Sequence, residues 1–113
     1  MSENNDIVYL FGFSERSMRQ VEKLLPILKS QKSKGRRISL ILRLDGVINA
    51  IANGKLPKSV EDLLSLDLSI YVMIPDLKAR GIVIENIQEK IKPIDYLEMV
   101  DILDTTPKII SWM

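Results

Sequence analysis

The sequence predicts an α/β fold with a mostly parallel sheet and helices on both of its faces. Short apolar runs recur along the chain, and continuous runs of this kind are typical of strands buried on both faces. Amphipathic segments with helical spacing lie between these runs. The 113 residues are 46% hydrophobic and 27% charged, which favours a single domain over residues 1–113, with a frayed polar start at 1–5.

Five of the apolar runs are predicted to be strands, because they are short and rich in β-branched residues. They cover residues 6–11, 37–42, 69–74, 90–94 and 108–112. The fourth contains Pro93, which has no amide proton to donate to a central ladder, so we expect that strand at an edge. The order of the strands does not follow from this pattern.

The first helix is predicted to begin shortly after the first strand. Ser14 is one candidate cap, and Ser17, which can form a capping box with Gln20, is the other. The helix continues to about residue 30 or 33, and we expect Pro26 to kink it or divide it in two.

The remaining helices are also predicted from their first residues. Asp45 and Ser59 are expected to cap helices over 45–51 and 60–66, respectively. A short helix is predicted over residues 76–80. Asp95 is expected to cap the last helix, with Tyr96 in the core.

The composition excludes several kinds of chemistry. With no Cys and no His, these residues provide no thiolate, no Cys or His zinc ligand and no imidazole base. No run approaches the roughly 18–20 apolar residues of a membrane span, and the start lacks a signal-peptide pattern. We therefore expect a cytoplasmic protein that does not act on a membrane, with no metal and no cofactor.

Four short blocks of sequence occur together along the chain. They are Leu44-Asp45-Gly46-Val47 after a strand, Asp76-Leu77 with Ala79-Arg80-Gly81, Ile94-Asp95-Tyr96, and the late pair Ser111-Trp112. In order and spacing, from residue 7 to residue 112, the sequence resembles the DsrH/TusB family of sulfur-relay subunits.

The resemblance implies a DsrE/F/H-like fold with a five-stranded sheet. It also implies a hetero-oligomer with DsrE-like and DsrF-like sister subunits, one of them bearing the sulfur-carrying Cys. Such complexes support 2-thiolation of the tRNA wobble uridine or sulfur oxidation. Because this sequence has no Cys, it is expected to be a non-catalytic subunit of the TusB type and not an enzyme.

The candidate residues for a partner or a ligand are Asp45, Gly46, Asp76, Arg80 and Trp112. Asp45 is either a helix cap or a group that faces a partner's sulfur site. Asp76 and Arg80 form either an i,i+4 ion pair or, through the guanidinium, an anion site. Trp112 is either a core residue or an interface anchor.

An alternative function is a stand-alone homo-oligomer that binds a small anion or a nucleotide near Asp45, Asp76 and Arg80. Self-association is then the expected assembly.

Charge is unevenly distributed along the chain. Residues 1–59 contain 11 Lys and Arg against 5 Asp and Glu, a net charge of +6, and residues 60–113 contain 5 against 10, a net of −5. The ordinary interpretation is two solvated faces, and the alternative is orientation against a charged partner. Eight basic residues lie between positions 16 and 37, but no aromatic residues alternate with them, which disfavours direct contact with tRNA.

Overall fold

The computed structural model describes residues 5–16 and 18–113. The predicted cap Ser17 lies outside these residues. The strands are β1 (Ile7–Phe11), β2 (Ile38–Leu42), β3 (Ser69–Met73), β4 (Lys92–Ile94) and β5 (Lys108–Trp112). The α-helices are α1 (Gln20–Ser33), α2 (Lys58–Ser65), α3 (Ile74–Ala79) and α4 (Tyr96–Asp104), and two 3₁₀ helices cover Leu44–Ala50 and Ile84–Asn86.

The five strands form one sheet in the order β4-β3-β2-β1-β5. All four pairings are parallel, so the predicted fold class is confirmed. Every residue of β1 and of β2 is buried, as their continuous apolar runs indicated. The strand that contains Pro93 lies at an edge, as predicted.

The strand order determines how the helices are shared between the two faces. The connections from β1 to β4 all proceed in one direction across the sheet, and the connection from β4 to β5 returns in the other. With right-handed crossovers, α1, α2 and α3 therefore lie on one face of the sheet, and α4 lies on the opposite face. The main core contains buried side chains of α1, α2 and α3, and a second core beneath α4 contains Met99.

The face that carries α4 is only partly covered. Five strands about 4.8 Å apart span roughly 19 Å between the outer strand axes, whereas one helix with its side chains is about 10–12 Å wide. Met99 is 8% exposed and Tyr96 is 53% exposed. The prediction that Tyr96 packs in the core was wrong, because α4 buries Met99 against the sheet and leaves the Tyr96 side chain exposed to solvent.

The start of α1 differs from the prediction. Ser14 does not cap it; the Ser14 hydroxyl accepts a bond from the Arg16 amide. The carboxylate of Glu15 accepts from the amides of Val21 and Glu22 instead. Pro26 lies inside α1 without dividing it.

Two other predicted caps were wrong and one was right. Asp45 lies in the first turn of a 3₁₀ helix that has Arg43 at its N-cap and no side-chain cap. Ser59 follows Pro57, the N-cap of α2, and directs its hydroxyl elsewhere. Asp95 caps α4 in a capping box with Glu98, which confirms that prediction.

Within the residues that the structure describes, no helix is both long enough and apolar enough to cross a membrane.

Candidate functional site

Three of the predicted residues meet at the carboxyl end of β2 and β3. Arg80 donates to Asp45 Oδ1 from Nε at 3.2 Å and from Nη2 at 3.0 Å. It also donates from Nη1 to the Asp76 carbonyl oxygen at 3.2 Å, and its Nη1 lies 4.0 Å from Asp76 Oδ1. The carboxyl ends of neighbouring parallel strands share one edge of a sheet, which brings Asp45 and Arg80 together across 35 residues.

The Asp45–Arg80 pair is open to solvent on its acidic side. The Asp45 side chain is 67% exposed and the Arg80 side chain is 27% exposed. An ion pair of this exposure contributes about 0–1 kcal/mol to stability. The pair therefore orients the Arg80 guanidinium, but it is weak enough for Arg80 to exchange Asp45 for another partner.

Gly46 lies beneath this pair and is buried. A Cβ atom at Gly46 would lie 2.3 Å from the carbonyl oxygen of Phe11. That oxygen accepts a bond from the Arg43 amide at 2.9 Å, so it is fixed by the backbone. Gly46 thus allows the 3₁₀ helix to pack directly on the end of β1, and this role is structural.

Arg43 and Leu44 add two further features to the same edge. The Nε atom of Arg43 is buried and has no hydrogen-bond partner in the described residues. Leu44 has a φ of 52°, in the left-handed region that costs a non-glycine residue about 1–2 kcal/mol, and it is 44% exposed. Neither residue was predicted, since no local pattern identifies a strained leucine or an orphaned guanidinium nitrogen.

Trp112 does not join this cluster. It is the last residue of β5, which lies on the far side of β1 from β2. Its indole Nε1 donates to Gln20 Oε1 at 3.0 Å, and its ring packs against the main core. This hydrogen bond connects the first residue of α1 to the edge strand β5.

A buried polar network that the sequence did not predict fixes the loop between β1 and α1. Besides the two amides of α1, the Glu15 carboxylate accepts the Ser59 hydroxyl at 2.5 Å. The Glu15 amide donates to Asn49 Oδ1 at 2.9 Å, and Asn49 Nδ2 donates to the Phe13 carbonyl at 2.7 Å. The network joins the loop that follows β1 to α1, to the first 3₁₀ helix and to α2.

A groove of about 540 Å³ lies between α4 and the strands β3 and β4. Its lining includes the side chains of Tyr71, Lys92, Glu98 and Asp101. Among the residues described, no group of three or more Asp or Glu side chains is arranged to hold a metal ion.

Comparisons with known proteins agree with this architecture. The structure resembles the crystal structure of the ychN protein from E. coli, with a TM-score of 0.73 and 15% sequence identity, over 96% of this chain and 99% of that one. It also resembles MTH1491 from Methanobacterium thermoautotrophicum, a protein of unknown function, with a TM-score of 0.63 and 12% identity, over 90% and 96% of the two chains. At these identities the likeness concerns the fold alone, and no curated protein sequence matches the chain.

The family assignment comes from the sequence. The family model of DsrH-like proteins matches residues 14–109, a range that contains the Asp45–Arg80 pair, Gly46 and Asp76. It also contains Glu15 and the whole of α4. The chain therefore belongs to the DsrH-like protein family, whose members are sulfur-relay subunits in general.

Proposed function

We propose that this chain is a non-catalytic subunit of a sulfur-transfer complex, of the TusB/DsrH type, that supports tRNA wobble-uridine 2-thiolation or sulfur oxidation. The observation that carries the proposal is a DsrH-family match over residues 14–109 in a sequence without cysteine. Persulfide sulfur moves between cysteine thiolates, so its carrier must be a different chain. The expected partners are DsrE-like and DsrF-like sister subunits in the cytoplasm, one of which bears that cysteine.

The role proposed for this chain is to shape the thiol pocket of a sister subunit. Burying apolar surface against that sister would exclude water from the persulfide and fix the geometry around it. The carboxyl edge with Asp45 and Arg80 is the surface proposed to face the sister's sulfur site. The close packing at Gly46 and the hydrogen bonds of Glu15 favour this edge, because they fix the backbone that carries its side chains.

Co-purification tests the proposal. The tagged chain, expressed in its native host, should retain two α/β chains of the DsrE and DsrF type, one with a persulfide-bearing cysteine trapped by alkylation. Arg80→Glu, which reverses the charge at the candidate edge, should lower the recovery of both chains. Lys78→Glu, a matched reversal at an exposed lysine of α3, should not.

Two results would contradict the proposal. One is recovery of the tagged chain without either companion. The other is labelled sulfane sulfur on this chain itself after incubation with a persulfide donor.

A second candidate function is binding of a small anion or a nucleotide at the same edge. The buried and unpartnered Nε of Arg43 favours it, because an anion is the natural acceptor for a guanidinium donor. In a thermal-shift screen with sulfite, thiosulfate and nucleotides, a bound anion should raise the melting temperature. Arg43→Ala and Arg80→Ala should abolish the rise and Lys78→Ala should preserve it, whereas no rise with any of these anions would exclude this function.

A further inference from the structure

The two flanks of α4 have opposite character. The flank with Glu98 and Ile102 borders the groove over β3 and β4. Tyr96 and Val100, one helical turn apart, lie on the other flank, towards β1 and β5. Tyr96, Leu97 and Val100 are 53%, 77% and 53% exposed, so this flank presents large apolar side chains to solvent.

Strand β5 carries a further exposed apolar side chain at the edge of the sheet. Ile109 is in register with Val8 of β1, whose side chain lies in the core beneath α4. Ile109 therefore points to the α4 side of the sheet, where it is 46% exposed. Exposed apolar side chains beside an open sheet edge are typical of a protein–protein interface.

The exposed charges of α4 next to this flank are acidic, and the two aspartates that carry them also line the groove on the other flank. Asp101 and Asp104 are exposed, and neither forms an ion pair within residues 5–16 and 18–113. No Lys or Arg occurs between positions 93 and 107. The surface formed by Tyr96, Leu97, Val100, Asp101 and Asp104, termed the α4 surface, therefore fits a partner with an apolar centre and a basic rim.

Helix α1 of the same chain presents such a surface. Ile27 is 39% exposed and lies one turn from Lys23, and Met18, just before the helix, is 49% exposed. Lys23 and Lys34 are exposed and, among the described residues, form no ion pair. The α1 surface is formed by Met18, Arg19, Lys23, Ile27 and Lys34.

We propose that the α4 surface of one copy of this chain binds the α1 surface of a second copy. Each surface combines exposed apolar side chains with unneutralised charge, and the two charges are opposite. The two surfaces lie on opposite faces of the sheet, so they meet only between copies. Packing α4 against α4 would instead place four aspartates around one apolar contact, and α1 against α1 would do the same with basic groups, which like-charge repulsion disfavours. This proposal goes beyond the sulfur-relay proposal and does not depend on it.

Charge reversal tests the pairing of the two surfaces. Sedimentation of the purified chain at low salt should show association that weakens as salt is added. The α1 variant Lys23→Glu/Lys34→Glu and the α4 variant Asp101→Lys/Asp104→Lys should each associate at least about tenfold more weakly. An equimolar mixture of the two variants, or one chain with all four substitutions, should recover the association.

The control is Lys78→Glu/Glu85→Lys, which reverses one basic and one acidic side chain away from both surfaces and should associate like the wild type. Circular dichroism and tryptophan fluorescence verify that every variant is folded. Association of the fourfold variant would also show that these four substitutions leave the fold intact. A wild-type chain that is monomeric at about 100 μM and low salt overturns the proposal, and so does failure of the complementary pair to recover.

The outcomes separate this proposal from the proposed function. A monomeric chain that captures DsrE-like and DsrF-like sisters overturns the contact between copies and supports the sulfur-relay assignment. A chain that self-associates through the complementary surfaces but captures no sister supports the contact and contradicts the assignment.

Discussion

Replacement of Glu15 is expected to destabilise the fold more than replacement of any exposed carboxylate. Glu15 is 5% exposed, and its carboxylate accepts three hydrogen bonds, from the amides of Val21 and Glu22 at 2.7 and 3.2 Å and from the Ser59 hydroxyl at 2.5 Å. Glu15→Ala removes all three acceptor contacts. Each buried donor left without a partner costs about 1–3 kcal/mol.

Two of the three donors, the Val21 amide and the Ser59 hydroxyl, belong to buried residues, so Glu15→Ala is expected to lower the free energy of unfolding by about 3–5 kcal/mol. Glu15→Gln keeps one acceptor oxygen and should cost about half as much. Glu22→Ala, at an exposed carboxylate in the first turn of α1, is the matched control and should cost less than about 1 kcal/mol.

Urea unfolding followed by the fluorescence of Trp112, the one tryptophan of the chain, provides the assay. Because the Glu15 carboxylate and the Ser59 hydroxyl bond directly, the double variant Glu15→Ala/Ser59→Ala should cost less than the sum of the single variants, by roughly 0.5–3 kcal/mol. A loss below about 1 kcal/mol for Glu15→Ala, or strict additivity with Ser59→Ala, would refute the role assigned to this network.

Two further predictions concern buried residues. Gly46→Ala is expected to lower the free energy of unfolding by about 1–3 kcal/mol, because its Cβ would overlap the fixed carbonyl of Phe11. Gly12→Ala, whose Cβ would meet only a flexible methionine side chain, should cost less than about 1 kcal/mol, and equal losses in urea unfolding would contradict this reasoning. Burial raises the pKa of the Tyr9 hydroxyl above its ordinary value of 10.0. Above about pH 10 the unfolded chain therefore loses this proton while the folded chain still holds it. The free energy of unfolding is thus highest below pH 10 and decreases as the pH rises further. Tyr9→Phe lacks this hydroxyl, so its free energy of unfolding minus that of the wild type should increase between about pH 8 and pH 11 in urea titrations. The same difference at both pH values would contradict this prediction.

The strands were predictable from the sequence because burial on both faces of a parallel sheet leaves a continuous apolar run. The bounds of β5 agree with the prediction, and β1 and β2 each begin one residue later than predicted. Pro93 also indicated an edge correctly, since a missing amide is incompatible with a central ladder. The strand order was not predictable, because it depends on how the helices pack and not on the pattern within any strand.

The predicted caps failed where a tertiary contact competes with a local preference. A capping side chain contributes about 0.5–2 kcal/mol, and a buried charged acceptor such as Glu15 contributes more. The Ser59 hydroxyl therefore donates to Glu15, and Asp45 pairs with Arg80. Asp95 succeeded because Glu98, three residues later, completes a capping box that needs no distant partner.

Three of the predicted residues, Asp45, Asp76 and Arg80, lie together in the structure, whereas the sequence did not predict how they contact one another. The sequence indicated Asp76 and Arg80 as an i,i+4 pair, and they are one, but the shorter contact of Arg80 is with Asp45. That contact exists because β2 and β3 are neighbours, so the loops that follow them meet. Gly46 was selected for its block of sequence, whereas its close approach to the Phe11 carbonyl became evident only from the packing of the 3₁₀ helix on β1.

The charge balance at the carboxyl edge bears on which function this edge can perform. Arg80 lies between two carboxylates, Asp45 and Asp76, so an incoming anion must compete with groups already in place. Among the described residues, the buried side-chain donor without an acceptor at this edge is the Nε of Arg43, and a single such donor favours weak binding of an anion. The Asp45 carboxylate is mostly exposed, and an exposed pair contributes about 0–1 kcal/mol, so a protein partner can rearrange it at little cost. An edge with a fixed backbone and weakly paired charged side chains is better suited to contact another protein surface than to bind a small ion tightly. This arrangement favours the subunit role over the stand-alone ligand-binding role.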